Sequence, residues 1–413
     1  MKKLITLSAL CLSIIIARAQ QTTESKDFKI YSISVNNQMQ KFSQDKNYAA
    51  ASNLIKEWIA KFDKESPEVK KDFAGNLGGM YYNLVCYDAL QGKKADAITE
   101  FQKAVTLGYT DYQHILVDTD LDGLRKDKQF IAIMQDLKEK KDFGYILQNS
   151  GPYNLKEKTT ALPAFTYEDA NSPNLVSLKN RFNLDSVSGN GDEISKVKNL
   201  LHWTHNAVRH DGNSGNPKSK NAIDLIAVCK KENRGVNCRM MATILRDVYQ
   251  SEGFKTRIVT CMPKDTADFD CHVITVVWLN TLNKWVWMDP TFNAYVSDDK
   301  GNLLNIEEVR NRLVNGGALV LNEDANWNNK NKQTKAFYLD NYMSKNLYWL
   351  ECSAKSAWDV ETRKPGMQTI EYLNLYPGTY STIHQPVKKD GDMIEYATNN
   401  PAYFWQKPTD LNQ

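Results

Sequence analysis

Cys238 stands at the head of an apolar stripe. Arg234-Gly235-Val236-Asn237-Cys238-Arg239 leads into Met240, Met241, Ile244, Leu245, Val248 and Tyr249, spaced as on one face of a helix. A thiol attacks as thiolate, and the first turn of a helix favours that form. N–H groups there lack carbonyl partners and the dipole end is positive. Those N–H groups also suit a developing oxyanion. Asn237 and Arg239 flank the thiol and are candidates for lining or charging the site. The competing reading is a buried cysteine packed as a small apolar residue, the common fate of a lone thiol.

His272 and Asp289 have the chemistry such a thiol needs. They lie in strand-like runs on either side of Asn280-Thr281-Leu282-Asn283. With those four residues as the turn, Leu279 faces Lys284 and Asp289 faces Ile274. His272 and Asp289 are then diagonal neighbours on one face. A slip of one residue would send them to opposite faces. An imidazole oriented by a carboxylate serves a thiol first as base and then as acid. Taken singly, His272 reads as a satisfied strand histidine and Asp289 as a turn residue before Pro290. Cys271, one position earlier, points to the opposite face of its strand.

The surrounding periodicity places these residues on elements. Helices are expected near 192–210, with Ile194, Val197, Leu200 and Leu201 on one face, near 222–228, and from Cys238 to just before Gly253. Gly253 suits the left-handed cap that ends the last of these. Strands are expected at 254–261, 271–279 and 284–289. Helices followed by strands argue for an α+β fold.

With these residues in view, Gly-x-x-Cys-Arg opening a helix, Gly253-Phe-x-x-Arg257 entering a strand, a histidine starting the next strand, and Trp285-Val-Trp-Met-Asp-Pro-Thr291 resemble the transglutaminase-like superfamily. The resemblance covers about residues 164–314. It implies a papain-like core in which the helix bearing cysteine packs on an antiparallel sheet. It also implies Cys238 as nucleophile, His272 as general base and acid, and Asp289 as the orienting carboxylate. The helix with Trp203, followed by Asp211-Gly212, resembles the family's helix before the cysteine, and Trp203 is a further candidate for covering the site or supporting an oxyanion. The family usually has one residue between the glycine and the cysteine; Val236 and Asn237 stand there in this chain.

The remaining chain reads as flanking domains. From about Asp27 to Lys141 the pattern is helical, and Ala97, Phe101 and Ala104 resemble the second helix of a tetratricopeptide repeat, with a weaker copy at 45–54. Two repeats fall short of the three usually needed for independent stability, so this region is expected to lean on its neighbour. The expected division is a signal peptide at 1–19, a repeat-like all-α domain at 20–147, a linker at 148–163 around Gly151, Pro152 and Pro163, a transglutaminase-like domain at 164–324, and a β-rich extension at 325–413. Tyr403, Phe404 and Trp405 in that extension either rim a groove or complete a core.

Met1-Lys2-Lys3, the apolar run Leu4–Ile16 and Ala17-Arg18-Ala19 form the three-part layout of a secretory signal. The protein is therefore expected to be exported to the periplasm or secreted, with no membrane span. The formal net charge of +3 and the mixing of acids and bases give no basic stripe for nucleic acid. Of seven cysteines, six follow Ala19, and Cys261 and Cys271 flank a loop that leaves a disulfide open. His202, His205 and His210 lack a fixed set of metal ligands, and no calcium loop is present; no metal or cofactor is expected. The expected activity is cleavage or transfer of a peptide-type amide through a Cys238 acyl-enzyme, with hydrolysis favoured. A peptide or protein substrate, cell-wall peptides included, would be the partner. The alternative is a non-catalytic assembly protein that grips a protein partner with its helical repeats.

Overall fold

The computed structural model describes residues 3–157, 162–362, 369–378, 380 and 387–408, and for residues 3–22 the backbone alone. The chain divides into two compact units, Met1–Asp142 and Phe143–Gln413.

The first unit is helical: α1 (Lys3–Gln44), α2 (Tyr48–Phe62), α3 (Pro67–Leu90), α4 (Lys94–Thr106), α5 (Tyr112–Val117) and α6 (Lys128–Lys141). Asn47 Oδ1 accepts from Ala50 N and Asp127 Oδ1 from Phe130 N, which satisfies donors at the starts of α2 and α6. One core joins α1, α2 and α3 around Phe28, Trp58 and Phe62. A second joins α3, α4 and α6, where Phe101 stacks on Phe130 at 5.1 Å. Ala97 and Ala104 are fully buried, and a Cβ on Gly78 would lie 2.9 Å from the carbonyl oxygen of Leu107. Small side chains thus set the separation of α3 from the end of α4. Residues 1–2 of the expected signal segment lie outside the described residues. Among the described residues no helix is long and apolar enough to cross a membrane.

This unit ends at Asp142, earlier than the 147 expected. α7 (Phe143–Gln148) buries Leu147 in the sheet core of the second unit. The segment expected as a linker is built into that unit as well: Asn154 N donates to Asn399 O, Gly378 N to Pro152 O, and Arg310 Nη2 to Ser150 Oγ. Gly151 and Pro152 do punctuate the chain, but Leu147 and Tyr153 supply the apolar surface that docks it. Residues 158–161 of the expected linker lie outside the described residues.

The second unit is organised by seven strands: β1 (Thr256–Met262), β2 (His272–Leu279), β3 (Lys284–Met288), β4 (Trp349–Ser353), β5 (Ile370–Leu375), β6 (Val387–Asp390) and β7 (Met393–Thr398). Their order across the sheet is β6-β7-β5-β4-β1-β2-β3. All neighbours are antiparallel except β5 and β7, which run parallel. The strands of the core are thus antiparallel, as expected, and the parallel pair in the extension makes the sheet as a whole mixed. A hairpin turning at Gly391 (φ +59) places β7 between β6 and β5, and strand periodicity carries no sign of direction. β4, β5, β6 and β7, all beyond residue 325, extend the same sheet.

Alternation sorts the side chains. Ile274, Val276, Trp278, Trp285 and Trp287 enter one core. Val277, Leu279, Val286 and Met288 enter another, shared with α8 (Pro173–Phe182), α9 (Leu184–Ser188), α10 (Glu193–Ala207), α11 (Ala222–Glu232) and α12 (Cys238–Ser251). Every residue of α12 from Met240 to Ser251 is buried, so this helix is held along its whole length.

Arg257 fastens the C-terminal segment. Its guanidinium lies over the Phe165 and Trp285 rings at 3.6 and 4.3 Å and donates to Phe404 O at 2.6 Å and Gln406 O at 3.0 Å. Phe404 is itself fully buried and completes a core. Replacing Arg257 by Met is expected to lower the unfolding free energy by about 2–4 kcal/mol, since hydrogen bonds from a buried cation are lost and carbonyls stranded. Urea denaturation measures this. The same variant should release the segment after residue 400 to limited proteolysis.

Candidate active site

The loop into α12 is shaped by contacts on both sides of Cys238. His210 and Val236 form a parallel bridge, with Val236 N donating to Arg209 O and Asp211 N to Val236 O. Gly235 is required by this approach: a Cβ there would lie 2.6 Å from Asp211 Cβ and 2.9 Å from Arg209 O. Asn237 then caps the helix, its Oδ1 accepting from Met240 N at 3.1 Å. Of the two residues between glycine and cysteine, Val236 makes the bridge and Asn237 the cap. Cys238 occupies the first helical position, where a backbone N–H has no acceptor within the helix.

The hairpin sets the other two groups. Asn283 takes φ +49 in the turn, and Leu279 pairs with Lys284 and Thr275 with Met288. Asp289 follows, bridged to Ala294 by Asp289 N to Ala294 O and Ala294 N to Asp289 O. Pro290 cannot donate to the ladder, so the strand ends here. Thr291 N donates to Asp289 Oδ1 at 2.8 Å, which turns Oδ2 toward the imidazole. His272 Nε2 lies 2.6 Å from that oxygen, with both residues fully buried.

His210, His272 and the Val273 N–H lie near enough to the sulfur of Cys238 to favour its charged form. Since His272 Nε2 is engaged by Asp289, its Nδ1 is the nitrogen that faces the thiol. Burial works against ionising the thiol. The bond from His210, then the bond and charge of His272, then Val273 N outweigh it and hold the Cys238 thiol at about 6. Burial likewise opposes protonating His272, but the Asp289 charge and hydrogen bond, with a smaller contribution from Cys238, raise it to about 10. Between those limits the sulfur is thiolate and the ring imidazolium. The other five described cysteines are all free, and burial pushes every one of them up: Cys86, Cys229, Cys261, Cys271 and Cys352. The Cys261–Cys271 disulfide left open by the sequence is not formed.

Residues far along the chain complete the site. A π-helical segment, Ala336–Met343, carries Tyr338 and Tyr342. Tyr338 Oη donates to Asp289 Oδ2 at 2.5 Å and accepts from Trp287 Nε1 at 3.3 Å. The Tyr342 and Phe292 rings pack against the His272 ring at 5.2 and 5.5 Å. Trp327 Nε1 donates to His210 Nδ1 at 3.0 Å. Asn328 grips the His210 backbone, accepting from its N at 2.7 Å and donating to its O at 2.9 Å.

The three lesser candidates each have partners of their own. The Asn237 amide is engaged at both ends, Oδ1 accepting in the helix cap and Nδ2 donating one hydrogen to Asn216 Oδ1. Arg239 forks onto Glu361, with Nε–Oε2 and Nη2–Oε1 both 2.9 Å, because a partly buried guanidinium needs a carboxylate. It also donates to Thr260 Oγ1 and holds the 359–362 segment instead of charging the thiol. Trp203 packs against Phe182 in the helical core on the other side of α10. His205, weighed as a metal ligand, is buried with its ring nitrogens 2.9 Å from Pro290 O and 3.0 Å from Asn326 Oδ1, while His202 is exposed beside Asn206. Tyr338 and Trp327 were missed because nothing local marks them. His210 carried one signal: a histidine with Asp211-Gly212, just after the helix that precedes the cysteine.

Residues 180–290 match the family model of the transglutaminase-like superfamily. No curated protein matches the chain. A crystal structure from Cytophaga hutchinsonii, provisionally named a cysteine protease, is similar at 18% identity and a TM-score of 0.24. The match covers 36% of this chain and 48% of that one, so the chain spans about half the length of the structure it matches. The region that carries the site is a transglutaminase-like core, and a helical unit precedes it.

Alkylation of Cys238 by iodoacetamide is expected to rise with pH through about 6 and then level off, while the other thiols remain slow at pH 7. His272→Ala should move the inflection toward the ordinary thiol range near ~8.5 and slow labelling at pH 7 by about 10-fold. Mass spectrometry of labelled peptides reads both. A Cys238 profile like that of the other five cysteines would contradict the geometry.

Proposed function

We propose that this chain is an exported thiol enzyme that cleaves a peptide-type amide through an acyl-enzyme on Cys238. The observation that carries the reading is the line from sulfur to imidazole to carboxylate, with His272 Nε2 2.6 Å from Asp289 Oδ2 and its other nitrogen turned to a thiol held at about 6. The likeness of residues 180–290 to the transglutaminase-like superfamily supports thiol chemistry in general terms.

In this mechanism the Cys238 thiolate attacks the amide carbonyl carbon, and the carbonyl electrons move onto oxygen. The imidazolium of His272 gives its Nδ1 proton to the departing amine, and the C–N bond breaks to leave a thioester. His272, now neutral, takes a proton from water. The hydroxide so formed adds to the thioester, and the C–S bond breaks to release a carboxylic acid and the thiolate. Asp289 keeps the imidazole oriented throughout and stabilises its charged form. Hydrolysis is favoured over transfer to an amine, because water is plentiful and no motif in the chain selects an amine. Export rests on the basic start, apolar run and small residues of positions 1–19. Peptides, including cell-wall peptides, are the proposed substrates, and the helical unit, tetratricopeptide-like in its small-residue spacing, is proposed to hold a protein partner.

A panel of peptide and cell-wall peptide amides, assayed with the wild type and with Cys238→Ala, tests this reading. Cleavage by the wild type should fall by about 10³-fold or more in the variant, as expected when a covalent nucleophile is removed. Asp289→Asn should lose up to about 10⁴-fold in kcat with KM changed little. Equal rates in wild type and Cys238→Ala would instead support a binding protein built on this fold.

A further inference from the structure

Two imidazoles meet the sulfur of Cys238, and their other nitrogens give them different capacities. His272 Nε2 faces a carboxylate oxygen, which only accepts, so that nitrogen bears hydrogen and Nδ1 is free to exchange a proton with the thiol. His210 is the reverse case. Its Nδ1 lies 3.0 Å from Trp327 Nε1, and an indole N–H only donates. Nδ1 of His210 therefore accepts, the ring's hydrogen sits on Nε2, and the nitrogen turned to Cys238 is a donor without a lone pair to take a proton. His210 is placed for hydrogen-bond donation and excluded from base catalysis.

Its position is fixed from several directions. The backbone is bridged to Val236, bracketed by both ends of the Asn328 amide, and packed so closely that Gly235 admits no side chain. The Trp327 and His210 rings meet edge to face at 6.3 Å. Such a donor needs little reorganisation when charge moves past it, which is the condition for strong stabilisation of a transition state.

We propose that His210 is a catalytic residue of the acyl-transfer site, whose Nε2–H, held in one tautomer by Trp327, passes from the thiolate to the carbonyl oxyanion as the substrate is attacked. In the resting site the N–H serves the sulfur. When the S–C bond forms, negative charge leaves the sulfur for the oxygen on the adjacent carbon, and the donor follows with a small shift. The backbone N–H of Cys238, unpartnered within its helix, is the second donor. This role is one that Trp203 does not fill, since its ring packs in the helical core. The inference rests on Cys238 as nucleophile and adds the group that receives the developing charge.

The test compares two reactions of the same sulfur at pH 9, well above the about 6 of the Cys238 thiol and below the about 10 of His272, whose charge still favours the thiolate once His210 is removed. Alkylation by iodoacetamide forms no oxyanion; acylation by p-nitrophenyl acetate does. In His210→Ala, the single-turnover release of p-nitrophenolate is expected to fall about 100-fold while alkylation changes less than about 3-fold. His210→Gln, which keeps an N–H donor, should recover most of the acylation rate. Trp327→Phe, which frees the tautomer, should lose about 10-fold in acylation alone. Parallel losses in both reactions, or undiminished acylation in His210→Ala, would overturn the role of His210 while leaving Cys238 as nucleophile. Wild-type Cys238 alkylating no faster than the other thiols near neutral pH would instead remove the nucleophile, and this inference with it.

Discussion

A charged pair in a nearly dry site is the constraint on which this molecule turns. His272 and Asp289 are buried to 1% and 0% exposure, and Cys238 is only partly open. Isolated charges in such surroundings would be costly and would neutralise instead. They persist because each has partners in place: Thr291 N and Tyr338 Oη on the carboxylate, the carboxylate on the imidazole, and two imidazoles with a backbone N–H on the sulfur. Removing any one leaves a buried group unpaired, which costs more than the bond itself contributes.

Holding these groups together falls to a few rigid elements. α12 is buried along its length and presents its first turn; β2 begins at His272; β3 ends one residue before Asp289. The ring of His205 ties α10 to the turn after Asp289 through Pro290 O and to the Trp327 loop through Asn326. The same loop reaches His210 through Trp327 and Asn328. Polar contacts thus connect the helices before the cysteine to the segment after the aspartate, and the thiol sits where the two meet.

What could be read in the sequence, and what could not, follows the range of the interactions. The start of α12 and the register of the β2–β3 hairpin are local matters: an apolar stripe with a cap, and a four-residue turn between two strands. Leu279 pairs with Lys284 as the turn required. The mixed sheet, Tyr338 on Asp289, Trp327 on His210 and Glu361 on Arg239 are contacts between distant segments, and no spacing announces them. Arg239 illustrates the difference. Its place beside the thiol in the chain suggested a local cation, yet burial required a carboxylate that arrives from residue 361. Gly151 and Pro152 likewise resembled a linker until the apolar residues around them found the sheet.

The ionisation of His272 is the quantity closest to the claim that sulfur and imidazole share one charged pair. Nitrogen-15 NMR of the imidazole rings, recorded across pH in the wild type and in Cys238→Ser, measures it directly. The account requires the His272 ring to stay protonated through neutral pH in the wild type, losing its proton only near 10, and to titrate lower once the thiolate is removed. A ring that titrates near its ordinary ~6.5 in both proteins would contradict it.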